Sequence, residues 1–387
     1  MISLRECCGN IEEIEKEHTS FIILQIEPIV DFYIELFQLI EVFTLKTKNN
    51  KIIESVKHIG YLSAGKKKSL LQPLFKKKDF IKTISDYKNV KFDNKLTFER
   101  RMIPGILNSL NILKEDLKDI LAMKVYDDSY YKVRLKKIYF ILLDDISFLF
   151  TKIFNYKWFI SQGPDTPWNA YKLTSRLGIN ICPYCNRQYT FTVSSSNSHT
   201  TRPELDHFLH KGENPLFALS FYNLIPSCTV CNRDLKGSIP FEANTHFSPY
   251  DENPKHGFLN YNYKPLTYDG SVGLTDEIII ELEINDPSKT ILTKKLQSNI
   301  DVFKYEDIAI HHRDVAQEII RKRYFSEDNY IQILQDTFPE ANLSLEEAYR
   351  YAYGNFYAEK DFAKRPLAKL TKDIAINVGS VHQYNTE

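Results

Sequence analysis

Apolar residues recur at three- and four-residue spacing in "FIILQIEPIVDFYIELFQLIEVF" and again in "YYKVRLKKIYFILLDDISFLFTKIF", with charges between them. That period predicts amphipathic helices through residues 1 to about 165. The pattern lapses between about 166 and 258, where Pro, Ser, Asn and His become frequent. Inside that stretch "PELDHF" predicts a short strand and "FYNLIPSC" a second. "CNRDLKG" predicts a helix with Asn232 on its first turn and Gly237 as its stop. Further on, "DEIIIELEI" (276–284) alternates apolar and polar positions and predicts a strand, which Asp286-Pro287 ends. Helical spacing then returns through "IDVFKYEDIAIHHRDVAQEIIRKRYF" and "RPLAKLTKDIAINV".

The expected fold class is therefore α+β, mostly helical, in three regions. A helical N-terminal region (1–165) would serve docking or regulation. A central region (166–258) carries the candidate chemistry, and a mixed, mainly helical region follows (259–387). There is no internal repeat, and "SSSNS" (194–198) reads as a polar loop.

Composition changes this picture little. With 387 residues, 43% hydrophobic and 26% charged, the chain can bury a sizeable core and is not broadly disordered. The 50 Lys+Arg balance the 50 Asp+Glu, which removes the global signature of a nucleic-acid binder but leaves local basic surfaces open. No apolar run reaches the ~18 residues of a membrane span. The start, "MISLRECCGN", has no apolar signal core, so a cytoplasmic protein is expected.

Of the six cysteines, the four in two Cys-x-x-Cys pairs read as metal ligands before disulfides in a reducing compartment. Cys7 and Cys8 are adjacent and stand apart as bystanders. Cys182-Pro-Tyr-Cys185 and Cys228-Thr-Val-Cys231 are two Cys-x-x-Cys pairs with 42 residues between them. Each tight turn can aim two thiolates at one ion, and two turns complete the tetrahedral set that zinc prefers. Four protein ligands leave no open position for substrate, so the expected role is one structural Zn²⁺ per chain.

Asp206-His207, Asn223 and Asn232 lie between and just after the two pairs. Asp206 and Asn232 carry hard oxygen donors, which suit a catalytic Mg²⁺ or Mn²⁺. His207 has the side chain whose reference pKa, about 6.5, suits a general base at neutral pH. Asn223 would hold the His207 ring through its side-chain carbonyl, or brace the loop between the strands. Taken singly each residue has a plainer reading: Asp206 as a turn or cap, His207 as a satisfied structural side chain, Asn223 as a strand end, Asn232 as a helix cap.

Taken together, the elements resemble the HNH endonuclease family: Cys182/Cys185, Asp206-His207, Asn223-Leu224, Cys228/Cys231-Asn232 and Lys236. The resemblance covers roughly residues 180 to 240. It implies a ββα-metal module with two zinc knuckles, Asp206 and Asn232 as ligands of the catalytic ion, His207 as base and zinc on the four cysteines. The segment departs from the family in continuing "DHF" with Leu209-His210-Lys211 where a Pro is common. His210 and Lys236 are candidate phosphate contacts, each with a solvated side chain as the plain alternative, and His246 is a candidate further ligand. The spacing "LFALS" before "FYNLIPSC" and the late "KRPLAKLTKDI" resemble the PtuB-like nucleases of Septu-type anti-phage systems. That likeness implies an ABC-type or SMC-like ATPase partner.

A nuclease must hold a polyanion, with phosphate contacts from Lys and Arg. The candidates are Lys66 to Lys68, Lys76 to Lys78, Arg100-Arg101 and Arg321-Lys322-Arg323. DNA is expected ahead of structured RNA such as tRNA. A non-catalytic, zinc-stabilised binding module is the reading from a different class, and the oligomeric state stays open.

Overall fold

The computed structural model describes residues 1–42, 62–74, 97–127, 144–194, 200–251, 259–284, 290–326 and 330–381. The architecture is α+β, mostly helical, with two small sheets. Two compact units divide the chain: residues 15–162 with 209–224, and residues 1–14 with 163–208 and 225–387. No division falls near 258: residues 225–387 belong to one unit.

The unit of residues 15–162 and 209–224 is helical. The helix Ile11–Val42 buries Ile22, Ile26, Val30, Tyr33, Phe37 and Ile40 at the predicted spacing, and Pro28 lies within it. The Tyr33 hydroxyl donates to the Leu70 carbonyl (2.8 Å) of helix Ala64–Leu71. Helix Ile103–Leu121 has Pro in its first turn, where a missing N–H costs nothing. It buries Ile106, Leu110, Leu113, Leu117 and Leu121 along one face. Burying each such side chain contributes about 1.5–3 kcal/mol. Of the second predicted long helix only residues 144–154 are described. They form a 3₁₀ turn, Asp144–Leu149, running into one α turn, Phe150–Ile153.

The other unit holds both sheets. Strands β1 (Glu204–His207) and β2 (Leu224–Ser227) pair with each other, and all of β2 except its first residue belongs to this unit. Strands β3 (Leu259–Pro265) and β4 (Ile278–Ile284) pair antiparallel, from Leu259 opposite Ile284 to Pro265 opposite Ile278. β4 was predicted from its alternation, and Ile278 and Ile280 are its buried positions. They enter a core with Ile319, Ile320, Tyr349, Leu370 and Ile374, contributed by helices Arg313–Phe325, Leu345–Tyr353 and Ala368–Asn377. The predicted run "IDVFKYEDIA" is broken at Lys304, whose φ of 51° separates helix Thr290–Phe303 from Tyr305–Ala309.

Candidate metal centre and the polar network beside it

The first cysteine turn is closed by backbone bonds. The Cys182 N–H donates to the Gln188 carbonyl (2.9 Å), and the Asn186 N–H donates to the Cys182 carbonyl (2.8 Å). Asn186 has φ 48°, the left-handed region that asparagine enters more readily than most side chains. Its amide donates to the Phe362 carbonyl (2.9 Å) and accepts from the Lys369 N–H (3.0 Å), tying the turn to the C-terminal segment. In the second turn the Cys231 N–H donates to the Cys228 sulfur (3.4 Å), and the Asn232 N–H to the Cys228 carbonyl (3.0 Å).

These turns bring the four sulfurs within 4.8 Å of one another, all on buried residues. Four thiolates at about 2.3 Å from a tetrahedral zinc stand about 3.8 Å apart, so the cluster is compatible with a structural zinc. Contact with Cys182 pulls the Cys185 and Cys228 thiols below their ordinary range, while the same crowding pushes Cys231 up and burial pushes Cys182 up. Cys7 and Cys8 stand outside the group, as expected: the Cys7 sulfur donates to the Glu359 carbonyl (3.5 Å) and the Cys8 sulfur to Asn10 (3.6 Å).

Beside the cluster, β1 meets a short helix. The two-residue period of a strand puts Glu204 and Asp206 on one face. Asp206 accepts from the Tyr184 hydroxyl (2.7 Å) and the Lys236 ammonium (3.0 Å), and all three side chains are buried. Burial, and then the Asp206 charge, push the Tyr184 phenol well up, which keeps it a donor. The Lys236 ammonium also donates to the His207 carbonyl (2.7 Å) and lies 4.8 Å from the centre of the Phe241 ring. The Asn232 amide donates to Glu204 (2.7 Å), which also pairs with Arg233.

The helix that supplies Cys231, Asn232 and Lys236 is a π-helix, Val230–Lys236, where the sequence predicted an ordinary helical turn. The Gly237 N–H donates to the Asn232 carbonyl five residues back (3.0 Å), and Gly237 takes φ 50°. Such wide turns are rare and concentrate at functional sites. Here the wide turn carries Cys231 and Lys236, both buried, on one short segment.

The other nominated residues take the following places. Lys236 is 1% exposed and serves as the internal counter-ion of Asp206. Asn223 is fully buried in the helical unit. Its carbonyl accepts from the Leu209 N–H (2.7 Å), and its amide donates to the Leu209 and Phe217 carbonyls (3.2 and 2.9 Å). Of its two expected roles, this is the loop brace. The His210 ring turns back over Gly212, where a Cβ would stand 2.9 Å from its Cε1, and its buried Nδ1 has no hydrogen-bond partner. His246 is not part of the cysteine group. Its ring stacks on Phe241 at 3.8 Å with Nδ1 beside the Thr245 hydroxyl (2.8 Å). Burial, reinforced by Lys236 and Lys295, pushes it down to about 4. His207 is buried at the end of β1.

Asp206 and Asn232 are the right kinds of donor for Mg²⁺ or Mn²⁺, and in this arrangement both already hold protein partners. Both Asp206 oxygens already accept hydrogen bonds, one of them from a cation. Among the described residues the four cysteines are the only group of three or more His, Cys, Asp or Glu that could hold a metal ion.

Three participants escaped the sequence reading. Glu204 was signalled by its two-residue offset from Asp206, and Tyr184 by its place inside the first Cys-x-x-Cys. Phe241 carries no local signal.

The basic clusters fare unevenly. Lys67 is buried and Lys66 half-buried, while Lys76 to Lys78 lie outside the described residues. Arg101 pairs with Glu99 (2.6 Å) on the surface. Lys322 and Arg323 donate to the Ala352 and Val378 carbonyls (2.9 and 3.1 Å), so they stitch helices together. No helix among the described residues is long and apolar enough to cross a membrane. Comparison with models of known families, with curated proteins and with solved structures returned no match to this chain.

Proposed function

We propose that this chain is an HNH-type endonuclease that hydrolyses phosphodiester bonds, in DNA ahead of structured RNA such as tRNA, and that it works in bacterial anti-phage defence beside an ABC-type or SMC-like ATPase. One observation carries the reading. The strand ending in Asp206-His207 pairs with a strand that runs directly into the second Cys-x-x-Cys, and the following helix bonds back to the first strand through Lys236 and Asn232.

In this reading His207 takes a proton from water, the water oxygen bonds to phosphorus, and the bond from phosphorus to the leaving oxygen breaks. Removing such a base costs about 10²–10⁴ in rate. The four cysteines hold one Zn²⁺, which ties the strands and helix together without touching substrate. The expected Mg²⁺ or Mn²⁺ requirement brings a condition with it: Lys236 has to leave Asp206 before an ion can use that carboxylate.

The buried Lys236–Asp206–Tyr184 network favours a second reading, since it would serve equally as the scaffold of a zinc-stabilised binding module. Cleavage of plasmid DNA and total tRNA separates the two, with Mg²⁺, Mn²⁺ or EDTA and wild type beside His207→Ala. The nuclease reading expects ion-dependent cutting by wild type and a loss of about 100-fold or more in the variant, with zinc content unchanged. Full activity in His207→Ala removes the mechanism. Binding without cutting by wild type favours the module.

A further inference from the structure

A cavity of about 230 Å³ lies within the helical unit, walled by Ile26, Leu70, Ile153 and Trp158 and rimmed by Lys66 and Lys152. Its charge is one-sided, because no carboxylate lines it among the described residues. Among the described residues Lys152 donates to neutral oxygens, Ser69 Oγ (3.3 Å) and Gln72 Oε1 (3.0 Å), and an ammonium has three protons to offer. Lys114 in the same unit is treated differently. It stands 2.8 Å from Asp31 and 3.6 Å from Glu27, and the bond to Asp31 pushes it up. Burial pushes Lys66 and Lys152 down, with no acid among the described residues offsetting the loss of water around them. Two partly dehydrated cations facing one space favour an anion there, and the charge-assisted bonds they would make are strong ones.

The rest of the lining has another character. Ile26, Leu70 and Ile153 are buried and apolar, and the half-buried Trp158 adds an aromatic surface. The volume is below the ~300–1,000 Å³ of common ligand pockets, which suits one small unit and excludes a length of polymer.

We propose that this cavity binds a single phosphorylated, ring-bearing unit of the mononucleotide class, with its phosphate between Lys66 and Lys152 and its base against the apolar wall beside Trp158. This site is independent of the nuclease reading. The unit is either a free nucleotide or the terminal nucleotide of a strand, and both present the same chemistry.

The full chain has two tryptophans, so ligand at Trp158 is readable by emission as well as by calorimetry. The probes are AMP, GMP, adenosine, inorganic phosphate and a 5′-phosphorylated oligothymidylate. AMP or GMP is expected to bind saturably, at least tenfold more tightly than adenosine or phosphate. Lys66→Gln and Lys152→Gln should each weaken binding at least tenfold, whereas Lys68→Gln, at an exposed position outside the cavity, and His207→Ala should not. Trp158→Phe should lose the optical signal while keeping the heat. Tight binding of the oligonucleotide alone, with the same lysine dependence, assigns the terminal-nucleotide form. No saturable binding by any probe at millimolar concentration overturns the proposal, as does binding that survives both lysine variants in protein whose melting is unchanged.

Discussion

Strands β1 and β2 have four residues each and are buried along almost their whole length, whereas β3 and β4 run for seven residues, with β4 alternating between core and solvent. The longer pair follows the usual logic of a half-solvated sheet: Ile278 and Ile280 face the core, Ile279 and Glu281 face water, and three helices cover the apolar side. The shorter pair has too few residues to bury a face of its own. Around it stand a four-sulfur cluster and a buried charge pair. One sheet is held by hydrophobic area, the other by specific bonds, and the two should respond differently to the same kinds of damage.

The largest difference should come from the sulfurs. Structural zinc is worth about 10–16 kcal/mol in small zinc domains. Cys228→Ser, or a strong chelator, should therefore unfold the β1–β2 region while β3–β4 keeps slow amide exchange. Hydrogen exchange read by mass spectrometry checks this, and equal protection of both sheets after zinc loss would erase the contrast.

Next comes the buried pair. Lys236→Ala leaves the Asp206 carboxylate without its cation and should cost about 3–5 kcal/mol, measured by urea unfolding. A cost near zero would mean that the cysteine cluster alone holds the helix to β1. The smallest effect belongs to the other sheet. Ile280→Val trims one buried methylene from the core and should cost about 1 kcal/mol, with no change in zinc content.

How far the sequence could be read follows the range of the interactions. The two Cys-x-x-Cys turns are local, so their spacing predicted a cluster that the fold assembles. β1, β2 and β4 were visible from short-range pattern. β3 was missed although Leu259, Tyr261 and Tyr263 alternate with Asn260, Asn262 and Lys264, because half-polar tyrosines blur the contrast that marks a strand. The bounds of the central region were less legible. Residues 209–224, inside it, join the helical unit, while residues 1–14 and everything after it join the unit of residues 163–208, a division that depends on contacts between distant segments.

The candidate site divides the same way. Asp206, His207, Asn232 and Lys236 were nominated from residue type and spacing, and all four lie on β1 or the helix beside it. Their partners were not predictable. Whether Lys236 faces solvent or Asp206 depends on how a seven-residue π-helix docks on a four-residue strand. Whether Asn223 serves a histidine or a loop depends on where Leu209 lies.

The sequence by itself determined the ligand-bearing turns, the main helical faces and the short strands, because each is set by neighbours within a few residues. Only the tertiary structure decided which charges are paired, which lysines rim a cavity and which carboxylate is closed off. Burial, unlike periodicity, is a property of segments that meet from far apart in the chain.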